Sequence, residues 1–425
     1  MRRRVLSFAV LATLTCAGLV IGIQGRRASR AEALVTRAEA LLLAPLGEAP
    51  GWTEVDATRA AALLEEAREA GAEGPRVEGL AAFAQALADA QRGSFVLAEA
   101  PLRQAMVRLG GSPDLKVLAA AIARGRSQRE RAGLLLDEVL AARPEHGRAR
   151  LLAADRALDA GDGDAAAAHL DPLPDDVGAG EDRRGRAAEL RADLGAALQR
   201  YRRAVELAPE RAPAWVNLGR LPRRAGRLDE ARRAFDRALA ERPGDPDAHL
   251  GRGLARVALG DLAGAEADFL RAARGAPNDA EPLLALGDLR RDLGALDAAA
   301  STYREALHRE DADAASWLKL GNVLTLLRDY RAAAASFDEA LRRAPTLAAA
   351  HNGRGAALMH LGDDEAAREE LESAAALDPS DPNPLMNLGV LHERRGDVRE
   401  ARLAFRQALA RDPDSEAARR RLARL

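Results

Sequence analysis

The sequence holds one cysteine, Cys16, in 425 residues. A single thiol closes no disulfide within the chain and builds no cysteine zinc site. Lysine is nearly as scarce, with only Lys116 and Lys319 against 61 arginines. Val117 and Leu320 follow those lysines, so no GK[ST] phosphate loop is present. Aromatic residues make up 3% of a chain that is 48% hydrophobic, which leaves Ala, Leu and Val as most of the apolar content. An excess of one charge sign is missing too. The 63 basic and 65 acidic residues leave −2, without the basic surplus of a nucleic-acid binder. The chain is also too apolar and too balanced in charge to be disordered. Rich in Ala and Arg and poor in Lys, the composition points to a GC-rich bacterial genome.

Catalytic signatures are absent as well. His392-Glu393 begins like a zinc-protease helix, but Gly396 stands where the second histidine belongs. Gly251-x-Gly253 and Gly353-x-Gly355 resemble fragments of a dinucleotide loop, with no strand before them. No G-x-S-x-G elbow exists. Acidic runs such as Asp363-Asp364-Glu365 fall at helix starts, where negative charge suits the helix dipole. The expectation is a protein that is not an enzyme, with no cofactor and no metal.

One long apolar run stands out. Val5 to Ile23 is nineteen residues without a charge, between Arg2–Arg4 and the cluster Arg26, Arg27 and Arg30. As a helix it rises about 28 Å, near the hydrocarbon thickness of a bilayer. That exceeds the apolar stretch of a cleavable signal, and the nearest A-x-A, Ala31-Glu32-Ala33, lies beyond the second arginine cluster. The favoured reading is an uncleaved transmembrane anchor over 1–27. A cleaved signal, or lipidation at Cys16, is the alternative. The N-terminal arginines favour a cytoplasmic N-terminus. The expected location is therefore a bacterial inner membrane with the rest of the chain in the periplasm. The arginines after the run leave open a cytoplasm-facing array, and cleavage would leave it secreted.

The rest of the chain is periodic. Six units of 34 residues begin at 212, 246, 280, 314, 348 and 382 without insertion or deletion. Place 8 is always glycine, from Gly219 to Gly389, and places 20 and 27 are always alanine, as in Ala333 and Ala340. Place 24 holds Phe235, Phe269, Tyr303, Phe337, Leu371 and Phe405. Place 32 is proline except for Asp311. Trp317, Leu320 and Leu324 share one helical face, and Ala333, Phe337 and Ala340 share another. Between them a glycine such as Gly260 or Gly362 suits a left-handed cap. Each unit therefore reads as two antiparallel helices that bury their apolar faces by stacking on the next unit.

This pattern resembles the tetratricopeptide repeat family. Trp215, Leu218, Gly219, Ala231, Phe235, Ala238 and Pro243 match its signature in one unit. Trp317, Leu320, Gly321, Ala333, Phe337, Ala340 and Pro345 match it in another. The resemblance implies an all-α, right-handed α-solenoid of antiparallel helix pairs, here after an N-terminal transmembrane helix. It covers six regular units over 212–415 and four degenerate ones over 79–211. The unit at 147–177 is three residues short, and the first helix after 178 is unusually charged, from Glu181 to Arg186. Residues 28–78 read as an irregular helical pair that caps the array, and 416–425 as a final capping helix. Pro222, inside a first helix, reads as a tolerated kink or as a bend between two sub-arrays. Only ten residues follow the last repeat, which leaves no room for an attached catalytic domain.

In this family the first helices line a concave surface, with places 2, 5, 6, 9, 12 and 13 commonly facing it. Carried over to the regular units, place 5 gives Val216, Leu250, Leu284, Leu318, Asn352 and Met386. An arginine-rich end (Arg220, Arg223 and Arg224) and an asparagine-bearing end (Asn322, Asn352 and Asn387) complete the candidate groove. The alternative is that place 5 packs between adjacent first helices. His249 and His351 stand where Trp215 and Trp317 do and read as packing residues. The family's carboxylate clamp is absent, because Leu318, Gly353, Asn383 and Asn387 stand around Asn322 where that clamp needs other residues. The implied function is a membrane-tethered scaffold that binds a protein or peptide segment in its groove. The alternative is a structural or assembly subunit of a bacterial envelope export or biogenesis complex. No nucleic-acid partner is expected.

Overall fold

The computed structural model describes residues 27–43, 54–174, 178–309 and 312–425. The candidate anchor Val5–Ile23 lies outside these residues. Among the described residues every regular element is a helix, and none is long and apolar enough to cross a membrane. The chain falls into two compact units, Met1–Asn217 and Leu218–Leu425, which change over inside one helix.

The first unit opens with α1 (27–43) and α2 (Glu54–Glu69), whose apolar faces bury Val35, Leu42 and Leu64. Four antiparallel pairs follow: α3 (Pro75–Gln91) with α4 (Phe95–Leu109), α5 (Pro113–Gly125) with α6 (Arg129–Ala142), α7 (Gly147–Asp159) with α8 (Gly163–Leu170), and α9 (Gly178–Leu190) with α10 (Leu194–Leu207). Helix α11 (Ala212–Arg224) contains the change-over and runs unbroken through Pro222. The second unit continues with α12 (Leu228–Glu241), then α13 (Pro246–Leu259) with α14 (Leu262–Gly275), α15 (Glu281–Asp292) with α16 (Leu296–Ala306), and α17 (Ala314–Leu326) with α18 (Tyr330–Arg343). It ends with α19 (Ala348–Leu361) and α20 (Asp364–Leu377), α21 (Asn383–Arg395) and α22 (Val398–Arg411), and the single helix α23 (Glu416–Arg424).

Why place 8 is glycine is visible in the packing. A Cβ added at Gly321 would sit 2.6 Å from the Phe337 ring, and one at Gly389 would sit 2.4 Å from Phe405. The first helix can approach the ring of its partner helix only without a side chain there. Gly353, in the following unit, comes equally close to the other side of Phe337. The ring is thus clamped between two backbones and is fully buried. Truncating such a ring costs about 3–5 kcal/mol.

The turn between the helices of a pair has one geometry throughout. Place 15 takes positive φ in all ten pairs: Gly93, Ser127, Gly161, Ala192, Gly226, Gly260, Gly294, Arg328, Gly362 and Gly396. Three of these are not glycine, yet the turn persists, because packing on both sides dictates the backbone there. The same positions also fix the register of the four irregular pairs, including the three residues missing from the pair α7–α8.

Candidate functional site

Within the first unit, first helices from four successive pairs line an open cavity of about 330 Å³. The floor is apolar. Leu87 from α3, Val117 and Leu118 from α5, and Leu151 from α7 are buried there, with Leu152 and the Phe95 ring half-buried at the edge. Phe95 lies against Gly125, where a Cβ would fall 2.4 Å from the ring. A second cavity of about 600 Å³ shares Phe95, Ala121 and Leu152 and also meets Arg124, Arg156 and Asp159.

The rest of the first cavity's wall is basic. It carries Arg148, Arg183 and Arg211, with Asp155 as the one acid among the lining residues. Arg148 is 7% exposed, and its Nη1 donates to Asp114 Oδ1 at 3.1 Å. Burial outweighs the attraction of Asp114 and lowers its pKa. Arg183 donates twice to Asp155, from Nε to Oδ1 and from Nη2 to Oδ2, both at 2.7 Å. Burial opposes the Arg183 charge, but that bidentate pairing outweighs it and raises the pKa. Arg211 is lowered, first by burial and next by the charge of Arg183; Asp182, Glu210 and Asp155 offset this only in part. Arg211 Nε and Gln91 Oε1 are buried polar atoms with no hydrogen-bond partner among the described residues. The cavity thus has an apolar floor and arginines on its wall.

The charged α9 explains itself in this setting. Glu181, fully buried, takes Arg184 Nη1 at 2.6 Å and Arg200 Nη1 at 3.1 Å. Arg184 Nη2 then donates to the carbonyls of Leu170 and Leu173 at 2.8 and 2.6 Å. Leu170 ends α8, which has only 8 residues, and Leu173 lies in the turn after it, so the arginine satisfies carbonyls at and just beyond that helix end. Arg183, also on α9, lines the cavity while bound to Asp155.

A family model described as Tetratricopeptide repeat matches residues 183–246 and 222–280. The chain carries tetratricopeptide repeats. Residues 267–414 also match the model of the Cilia and flagella-associated protein 70 C-terminal domain. Among solved structures, the human IFIT1 dimer with PPP-AAAA is 16% identical at a TM-score of 0.53, over 84% of this chain and 88% of that one. The APC/C hetero-tetramer Cut9-Hcn1 is 16% identical at 0.43, over 87% and 93%. Pseudomonas aeruginosa pilF is 18% identical at 0.45, over 50% and 97%. No curated protein sequence matches.

The tetratricopeptide places now locate the cavity. Leu87, Ala90 and Gln91 are places 9, 12 and 13 of their repeat, and Val117, Leu118 and Ala121 are places 5, 6 and 9. Arg148, Leu151, Leu152 and Asp155 are places 2, 5, 6 and 9, and Arg183 is place 6. The same rule that picked the row in the regular repeats, run backward into the degenerate ones, yields this lining. Only Phe95 and Arg211 escape it.

In the regular repeats the row sits differently. Val216 and Leu250 are buried, while Leu284, Leu318, Asn352 and Met386 are half-buried. Leu284 and Leu318 pack against the core around Phe337, and Met386 against the core around Leu388. Asn387 Nδ2 donates to Asn352 Oδ1 at 2.9 Å, linking the first helices α19 and α21. Asn322 and Arg224 are exposed. Arg220, also exposed, lies 3.6 Å from Asp247, and Arg223 is half-buried with its pKa lowered by burial. None of these eleven residues lines the 330 Å³ cavity.

Place 4 has a polar role as well as a packing one. The Trp215 indole N–H donates to the carbonyl of Pro209 at 2.7 Å. His249 and His351 reach Pro243 and Pro345 in the same way, at 2.9 and 3.0 Å. Their other ring nitrogens face Asp268 at 3.1 Å and Glu370 at 2.7 Å. Arg252 and Arg354 join those acids to Asp236 and Asp338 of the preceding repeat. Two histidine repeats thus carry the same ionic staple, which spacing alone did not reveal.

Proposed function

We propose that this protein is a tethered tetratricopeptide scaffold, not an enzyme, that docks a short segment of another protein in the cavity lined by α3, α5, α7 and α9. One observation supports the reading: eleven of the thirteen residues that line this open hollow occupy the groove-facing places of their repeats. A volume of about 330 Å³ is at the small end of ligand sites, enough for one or two side chains and not for a folded domain. Tethering rests on the sequence of Val5–Ile23, and a periplasmic array on the arginines before it. The protein is expected to stay in the membrane fraction through carbonate washing, with its N-terminus intact. A soluble form beginning after Ile23 would show cleavage instead.

Docking is tested by selecting a random-peptide display library on the full chain, then on Ala121→Glu with Leu152→Glu. Both residues are half-buried on the cavity wall, and the glutamates fill it with charge. Selected peptides should lose binding to the double variant while its helical circular dichroism is unchanged. Peptides that bind both proteins equally would remove the cavity from the account.

A further inference from the structure

We infer that the outer faces of α20 and α22 form a self-complementary surface on which a second copy of this chain docks, with α20 of each copy lying on α22 of the other. These helices are the second members of neighbouring repeats in the second unit, and their charges are opposite. Helix α20 carries Asp364, Glu365, Glu369, Glu370 and Glu372 against Arg368 alone. Helix α22 carries Arg399, Arg402, Arg406 and Arg411 against Glu400 alone. No other second helix of this unit departs from balance by more than one charge.

The charges that matter stand on the exposed side. Glu365, Glu369 and Glu372 recur at i, i+4 and i+7 along one face of α20, and all three are exposed. Arg399, Arg402 and Arg406 recur at i, i+3 and i+7 along one exposed face of α22. Arg368 bonds Glu365 and Glu372, Arg395 bonds Glu365, and Arg402 donates to the Leu425 carbonyl. Glu369, Arg399 and Arg406 make no ion pair among the described residues. Exposed ion pairs are individually weak, so a stable contact needs apolar surface too. Leu403, 58% exposed, stands within the arginine row and supplies it.

Symmetry decides the occupant. A two-fold axis that runs between the two helices and parallel to them sets α20 of one copy on α22 of the other and keeps the level along them. Glu365 and Arg399 both hold place 18 of their repeats, and Glu372 and Arg406 both hold place 25. The arginines of a second copy therefore arrive at the level of these glutamates, and every contact is made twice. An unrelated partner would have to match both signs across two helices, whereas a second copy carries the match already.

Sedimentation equilibrium of the full chain in density-matched detergent tests this. A concentration-dependent dimer is expected. Its dissociation constant should rise tenfold or more between about 0.05 M and about 0.5 M salt, because salt screens exposed charges. One triple variant, Arg399→Glu with Arg402→Glu and Arg406→Glu, makes both rows acidic. Another, Glu365→Arg with Glu369→Arg and Glu372→Arg, makes both rows basic. Each alone should associate at least tenfold more weakly than the parent, with unchanged helical circular dichroism. An equal mixture of the two should restore the dimer, since acidic rows then meet basic ones. The single changes Arg406→Glu and Glu372→Arg repeat the exchange at one level should a triple variant lose helicity. A parent chain that is monomeric at every concentration overturns the inference. So does a dimer that persists in both variants, as association through Val5–Ile23 would, and so does a mixture of folded variants that stays monomeric.

Discussion

The two stretches of repeats use one backbone plan for different ends. In the regular repeats, glycine at place 8 meets a ring at place 24 in all but the repeat with Leu371, and the place-5 row runs from buried Val216 and Leu250 to half-buried Leu284, Leu318, Asn352 and Met386. In three of the four degenerate repeats the ring gives way to Leu102, Leu136 or Leu170, while Tyr201 keeps it in the fourth, and the first helices line a hollow with arginines on its wall. The difference teaches that the motif records what stacks helices.

The largest expected effect probes the packing side. Phe337→Ala should lower the stability of the second unit by about 3–5 kcal/mol in denaturant titration, without weakening peptide capture in the first. A parallel loss of capture would break the separation between the two stretches. Next is the buried staple. Asp268 is fully buried between His249, Arg252 and Arg256. Burial alone would raise its pKa, but the hydrogen bonds from Arg252 and His249 outweigh burial and hold it below the ordinary 3.8. Its charge therefore stabilises the fold above that value, and the contribution is lost as pH falls through the lowered one. Asp268→Asn should cost about 3 kcal/mol at pH 7, because removing one partner strands buried charge. That cost should shrink in acid below pH 3.8, and a cost independent of pH would show that the carboxylate charge is not what matters.

A smaller effect is expected at Gly321. An alanine there puts Cβ 2.6 Å from Phe337, so the ring or the helix must shift, at roughly 1–3 kcal/mol. The smallest is a gain. Arg328 holds φ of 63° where most repeats have glycine, so Arg328→Gly should raise stability by up to about 1 kcal/mol. An unchanged midpoint in urea would mean the left-handed turn carries no strain.

These particulars mark what the sequence made legible. The helix pairs followed from Gly219, Ala231, Phe235 and Pro243 and their repeats, because steric packing ties residue size to place. The turns at Ser127, Ala192 and Arg328 were not readable as turns, since the left-handed backbone there is imposed by neighbouring helices. The cavity was hidden for a related reason. It is assembled from four helices, and in each the residues that form it look only like decay of the motif. Arg148 and Arg183 meet on one wall beside Arg211 only because α7 and α9 stack, which no single repeat predicts.

The central claim is that docking uses the arginine-walled cavity and not the inner row of the regular repeats. Hydrogen exchange of the full chain, with and without a selected peptide at saturation, tests it most directly. Protection should concentrate in α5, α7 and α9, leaving α15 and α17 around Leu284 and Leu318 unchanged. Protection confined to α13 through α21, with none in the first unit, would contradict the account.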